Sequence, residues 1–157
     1  MIMFHPSVVE MWQHYLDSID DSDNLSNTTY TSWYFCNDEE SAYSLAELVK
    51  KGIKRGTASL FCLYEIDHEA LPIEGCYSIV TDFRGVAQCI IQTKNITVLP
   101  FKEVDDTLAA IEGEGDGSLN YWQTTHRHFF TEELTEYGMS FNEDLLVVFE
   151  EFDLVYL

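Results

Sequence analysis

The sequence predicts an α+β chain, a small β-barrel or strongly curved sheet with helices packed around it. Two observations predict this class. Apolar residues recur at helical spacing in some segments and in short strand-like runs in others, about four helices and five or six strands in all. The two kinds of segment do not alternate as regular βαβ units. No repeat or linker interrupts the 157 residues, and a chain of this length holds a core of its own. We read one domain over 1–157, with an N-terminal helix and extension over 1–37 and the core over 38–157.

Val8, Trp12, Tyr15, Leu16 and Ile19 define an opening helix after Pro6, a residue suited to a first helical turn. DSIDDSDNLSN reads as a solvated loop and TSWYFC as a short strand. Asn37 is the expected N-cap of the next helix, with Glu40 at the capping-box position. Ala42, Leu45, Ala46 and Val49 form its apolar face, and Gly52 stops it. TASLFCLYEI, from Thr57 to Ile66, reads as a strand. CYSIVTDFRGVAQCIIQT reads as two strands around DFRG, the second continuing through NITVL to Pro100. FKEVDDTLAAIE is a short amphipathic helix. SLNYWQTTHRHFFTEEL is a longer one, with Leu119, Trp122, His126 and Phe129 or Phe130 on one face and Gly138 at its end. LLVVFEEFDLVY is the closing strand; the adjacent Glu150 and Glu151 suggest a bulge where its alternation slips.

Composition narrows the function. Hydrophobic content of 46% and aromatic content of 14% predict a folded chain. No run of about 18 apolar residues predicts a membrane span. MIMFHPSVVEM lacks the basic-then-apolar layout of a signal peptide. Cys36, Cys62, Cys76 and Cys89 are widely spaced without a C-x-x-C pair, which predicts reduced, buried thiols in a cytoplasmic protein. The net charge of −20 repels polyanions and argues against double-stranded DNA or a general nucleic-acid ligand. A local basic site still suits a short single strand or one nucleoside. Phosphate-loop, dinucleotide-binding and serine-hydrolase motifs are absent, and no cofactor or metal is expected.

The basic residues are concentrated in KKGIKRGT. Lys50 and Lys51 sit in a last helical turn, where cations complement the helix dipole. Lys54 and Arg55 lie beyond Gly52, in a connection bracketed by Gly52 and Gly56 that lets backbone approach a ligand. Lys54 and Thr57 stand three apart at a strand entrance, where a lysine can act as base or favour the alkoxide of a hydroxyl. EGEGDGSLNYWQ imitates a calcium loop but carries Gln123 where the bidentate glutamate belongs. Its Asp116 or Ser118 suits a helix cap, or one of its carboxylates faces Lys54 and Arg55. In YWQTTHRHFF the apolar stripe is core, with Tyr121, His126 and His128 as polar members. His126 and His128 are two apart and point to different sides of a helix.

The order of these motifs resembles the longer bacterial ASCH domain proteins. G-I-K-R-G-T after a helix, E-G-E-G-D, then W-x-x-x-H-x-x-F-F and a strand of the type VVFEEFDLVY carry the likeness over residues 43 to 157. The resemblance implies a PUA-like fold, a small barrel with helices over its openings, and RNA or nucleoside ligands. Some relatives are amidohydrolases on N4-acetylcytidine, using a Lys, a Thr three residues later and a distant Glu. Others are reported as ribonucleases or proposed as RNA-binding regulators. Carried over, the catalytic set is Lys54, Thr57 and Glu112, with Glu114 the second choice for the acid. Gly52, Arg55, Gly56, Asp116, Tyr121, Trp122 and His126 are the accompanying candidates for ligand binding, Arg55 without a specific role. The chain is expected to be such a hydrolase, or else a non-catalytic RNA-binding module or single-strand ribonuclease.

Overall fold

The structure is a computed structural model and describes residues 4–20, 22–25 and 27–157. Among the described residues five strands form: β1 (Tyr30–Trp33), β2 (Gly56–Leu60), β3 (Tyr77–Thr81), β4 (Ala87–Pro100) and β5 (Leu146–Tyr156). They lie in the order β1-β3-β4-β5-β2. β1 pairs parallel with β3, while β3 with β4 and β2 with β5 are antiparallel. The sheet is mixed and open, so the expected α+β class is present as a sheet and not as a closed barrel. The helices are α1 (Pro6–Ser18), α2 (Ser22–Leu25), α3 (Glu39–Lys50), α4 (Phe61–Asp67), α5 (Asp106–Glu112) and α6 (Leu119–Glu136), with a 3₁₀ turn at Phe101–Glu103. Among the described residues no helix is long and apolar enough to cross a membrane.

The chain divides into two compact units. The first comprises Met1–Gly52, Glu74–Lys94 and Phe152–Leu157. Every residue of β3 is buried there, because helices cover both of its faces. Tyr77 and Ile79 pack with Val8, Trp12 and Leu16 of α1, whereas Val80 packs with Ala46 and Val49 of α3. The alternation of side chains along a strand assigns them to the two layers. The second unit comprises Ile53–Ile73 and Asn95–Glu151. Its core joins Leu60 and Val147 of the sheet to Phe101 of the 3₁₀ turn and to Trp122, Phe130 and Leu134 of α6.

Several local expectations are corrected. The N-cap of α3 is Asp38 and not Asn37: its Oδ1 accepts the Ser41 N–H at 2.8 Å, and a carboxylate there also complements the helix dipole. The run from Thr57 to Ile66 is strand only to Leu60, after which α4 begins. FCLY is a short apolar run, and such runs suit either element. FKEVDDTLAAIE is not one helix, because Asp105 caps α5 by accepting from Leu108 N–H at 3.0 Å. The stretch DSIDDSDNLSN is not all loop, since Asp17 and Ser18 end α1 and α2 follows; its Asp21 and Ser26 lie outside the described residues. The register of β5 with β2 runs unbroken from Val147 to Glu151, so no bulge interrupts this pairing at Glu150; a register shift lies between Val80 and Thr81. The alternation slips because Val147, Val148, Phe149 and Glu150 are all buried, leaving no solvent face. Of the four cysteines only Cys89 is fully buried, its thiol pushed up to about 12 by burial, and Cys36 is exposed.

Candidate functional site

Two glycines bring the segment before β2 against the end of α5. A Cβ on Gly56 would stand 2.9 Å from the Phe149 ring and 3.1 Å from Ile111, so only glycine lets strand and helix approach. Gly113 caps α5 in the left-handed region at φ 69°, and a Cβ there would stand 2.2 Å from the Ile53 carbonyl oxygen. Arg55 N–H donates to the Ile111 carbonyl at 2.9 Å and fastens the same junction. Gly113→Ala therefore combines backbone strain with a backbone clash. We expect it to lower unfolding free energy by about 3 kcal/mol in urea titration, against about 1 kcal/mol for a typical substitution.

Lys54 is drawn inward at this junction and is 1% exposed. Its Nζ donates to the Gly56 carbonyl at 2.8 Å and to Glu114 Oε1 at 2.7 Å, and lies 3.5 Å from Glu112 Oε1. Glu112, the last residue of α5, is equally buried and holds the network together. Its Oε2 accepts from Trp122 Nε1, and its Oε1 stands 2.9 Å from His126 Nε2. His126 stacks on the Trp122 ring at 4.2 Å between centroids, one helical turn along α6. Its Nδ1 lies 2.8 Å from the Trp122 carbonyl.

The bonding fixes the charges. A carbonyl only accepts, so His126 Nδ1 carries a proton. Burial alone would raise the Glu112 pKa, but the charges of His126 and Lys54 bring it down to about 2. Nε2 thus also faces an acceptor, and the ring is an imidazolium. Burial pulls the His126 and Lys54 pKa values down; the carboxylates Glu112 and Glu114 overcome that and raise both. Two cations and two anions make a neutral buried quartet, which avoids the penalty of an unpaired buried charge. The carboxylates of Glu112 and Glu114 and the His126 nitrogen lie within 4.8 Å of one another, a spacing that metal ligands also adopt. Lys54 and His126 already neutralise those oxygens, and we read the group as an ion-pair network. The Glu114 side chain is 13% exposed, against 0% for Lys54 and 2% for Glu112, and is the network's route to solvent.

The other candidates lie around this centre. Thr57 is half-buried on β2, and its side chain makes no hydrogen bond among the described residues. Asp116 is exposed and accepts the N–H of Ser118, which caps α6 through Tyr121 N–H. Tyr121 is exposed, with its ring against Gly115. The Arg55 side chain is exposed, and Gly52 closes α3 at φ 72°. Lys50 pairs with Glu47 at 2.5 Å and Lys51 caps α3, so both serve the helix, as expected. Sequence reading missed Glu150, a buried carboxylate directly opposite Thr57 across the β2–β5 ladder. Its signal was an acidic pair, Glu150 and Glu151, between the apolar residues of the closing strand.

The comparisons agree with the fold. The ASCH domain family model matches residues 31–156. The crystal structure of an ASCH domain from Lactobacillus crispatus JV V101 is similar over 100% of this chain and 99% of that one, at 35% identity and a TM-score of 0.93. Protein EF3133 from Enterococcus faecalis V583 is similar over 96% of this chain and 89% of its own, at 32% identity and a TM-score of 0.86. No curated protein matches. The chain belongs to the ASCH domain family.

Proposed function

We propose that the protein is a cytoplasmic hydrolase that cleaves an amide on a nucleoside such as acetylated cytidine. The observation that supports this most is the fully buried Lys54, held charged by two carboxylates at the entrance to the strand that carries Thr57. Perturbed buried ionisable groups concentrate at functional sites. In this reading Thr57 is the nucleophile and Lys54 is a fixed positive charge that favours its alkoxide. A lysine whose pKa is raised does not serve as base, so Glu112 and Glu114 act by holding the ammonium in place. The net charge of −20 favours a small, weakly charged substrate over long RNA.

The test is acetate release from N4-acetylcytidine. We expect turnover by the wild type and at least a hundredfold loss in Thr57→Ala and Lys54→Met, the scale of a lost nucleophile or charge stabiliser. Activity surviving in both variants overturns the assignment. Binding without turnover, weakening steeply as salt rises, identifies a non-catalytic RNA-binding module instead. Cleavage of labelled single-stranded RNA, lost in Lys54→Met, identifies a ribonuclease.

A further inference from the structure

We propose that His126 is a positioning residue for the reaction: through its hydrogen bond to Glu112 it fixes how the Lys54 ammonium is shared between its two carboxylates. This rests on the reading of Lys54 as the charge that favours the Thr57 alkoxide. The observation that carries it is the way α6 grips Glu112. Trp122 Nε1 donates to one carboxylate oxygen, and His126 Nε2 stands 2.9 Å from the other. A carboxylate held at both oxygens is not free to turn toward the lysine. Its Oε1 stays 3.5 Å from Lys54 Nζ, while Glu114 Oε1 is at 2.7 Å and the Gly56 carbonyl at 2.8 Å. The ammonium therefore rests mainly on Glu114 and on Gly56, the residue before Thr57 in β2.

His126 is itself held in one pose. Its ring lies 14° from the plane of the Trp122 ring, and Phe130 meets it edge-on at 5.5 Å between centroids. Nδ1 is bonded to the Trp122 carbonyl and Nε2 to Glu112, so a turn of the ring breaks both bonds. The charged groups around it are Glu112 at the end of α5, Glu114 beyond it and, by way of Glu112, Lys54. Its own helix adds only the rings of Trp122 and Phe130. Loss of a proton undoes this pose. One nitrogen then becomes an acceptor against either the carbonyl or the carboxylate, and the ring no longer satisfies both. Glu112 loses one of its two grips from α6 and closes on Lys54, drawing the ammonium off its place. A shift of about 1 Å in a catalytic group can cost about a hundredfold in rate.

The pH dependence follows. Burial pulls the His126 pKa down, but Glu112 and Glu114 raise it above its ordinary value. The pose is therefore complete below that ordinary value and is lost as pH rises through the folded pKa. Lys54 does not set this fall, since its own pKa is raised above the ordinary 10.5. A glutamine at position 126 separates hydrogen bond from titration: its amide N–H can donate to Glu112 and carries no titrating proton. A leucine there keeps the apolar bulk and has no donor.

Acetate release from N4-acetylcytidine, followed between about pH 6 and about pH 10, tests this. We expect the wild-type kcat to fall as pH rises. We expect His126→Leu to lose about tenfold or more in kcat at pH 7 with KM changed less than about twofold, because Lys54 acts on the transition state. We expect His126→Gln to recover kcat to within about threefold of wild type and to lack the fall at higher pH. A His126→Leu kcat equal to wild type overturns the proposal. So does a His126→Gln kcat as low as that of His126→Leu, or a His126→Gln profile that still falls at the wild-type pH. Should His126→Leu not fold, the His126→Gln profile decides. No acetate release by the wild type at any pH overturns the substrate reading instead, and NMR of the Lys54 side-chain nitrogen then decides. A step in its shift where His126 titrates, absent in His126→Gln, supports the hold of His126 on Lys54; no step overturns it.

Discussion

Lys54→Met lowers the free energy of unfolding by about 3–5 kcal/mol, the scale of removing one partner from a buried ion pair. The substituted side chain keeps most of the volume, so the loss is electrostatic. Glu112 and Glu114 are left with His126 as their one buried cation. A second change should recover part of the loss. Lys54→Met with Glu114→Gln retains the Glu112–His126 pair and is again neutral. Urea titration of the four proteins gives the coupling directly. Additive losses would mean that the ammonium and the Glu114 carboxylate do not act on each other, despite their 2.7 Å separation.

Glu112→Ala has a loss of similar size, about 3–5 kcal/mol, for a different reason. It strips Trp122 Nε1 and His126 Nε2 of their acceptor and removes one of the two carboxylates beside Lys54. It also changes how stability follows pH. The folded Glu112 pKa lies below its ordinary value, so its stabilisation is present above that ordinary value and is lost as pH falls toward about 2. The folded His126 pKa lies above its ordinary value, so its stabilisation is present below that value and is lost as pH rises through the folded pKa. Both dependences should shrink in Glu112→Ala, measured as unfolding free energy between pH 2 and pH 9. Unchanged curves would show that Glu112 does not set these charges.

Much of this site was legible in the sequence, and the unread parts share a cause. Gly52, Lys54, Gly56 and the acids at 112 and 114 stand out because glycine placement and a scarce charge are local signals. The helical spacing of Trp122 and His126 assigns them to a buried face, and both are buried. Spacing cannot show that both reach back to Glu112, because that contact joins two helices. The basic cluster misdirects attention to Arg55, whose role here is a backbone hydrogen bond. Glu150 reads as a bulge because a strand buried on both faces loses its alternation, and the register that sets it opposite Thr57 is tertiary. The apolar run at Phe61 is ambiguous for the same reason: tertiary packing decides between strand and helix.

The central claim is that a charged lysine and a charged histidine are held in one neutral buried quartet by Glu112 and Glu114. Nitrogen-15 NMR of the histidine side chains tests it most directly. At pH 7, where an ordinary imidazole is mostly neutral, His126 should show protons on both ring nitrogens and the shifts of an imidazolium. A His126 ring that is neutral at pH 7, with one bare nitrogen facing Glu112, would contradict the account.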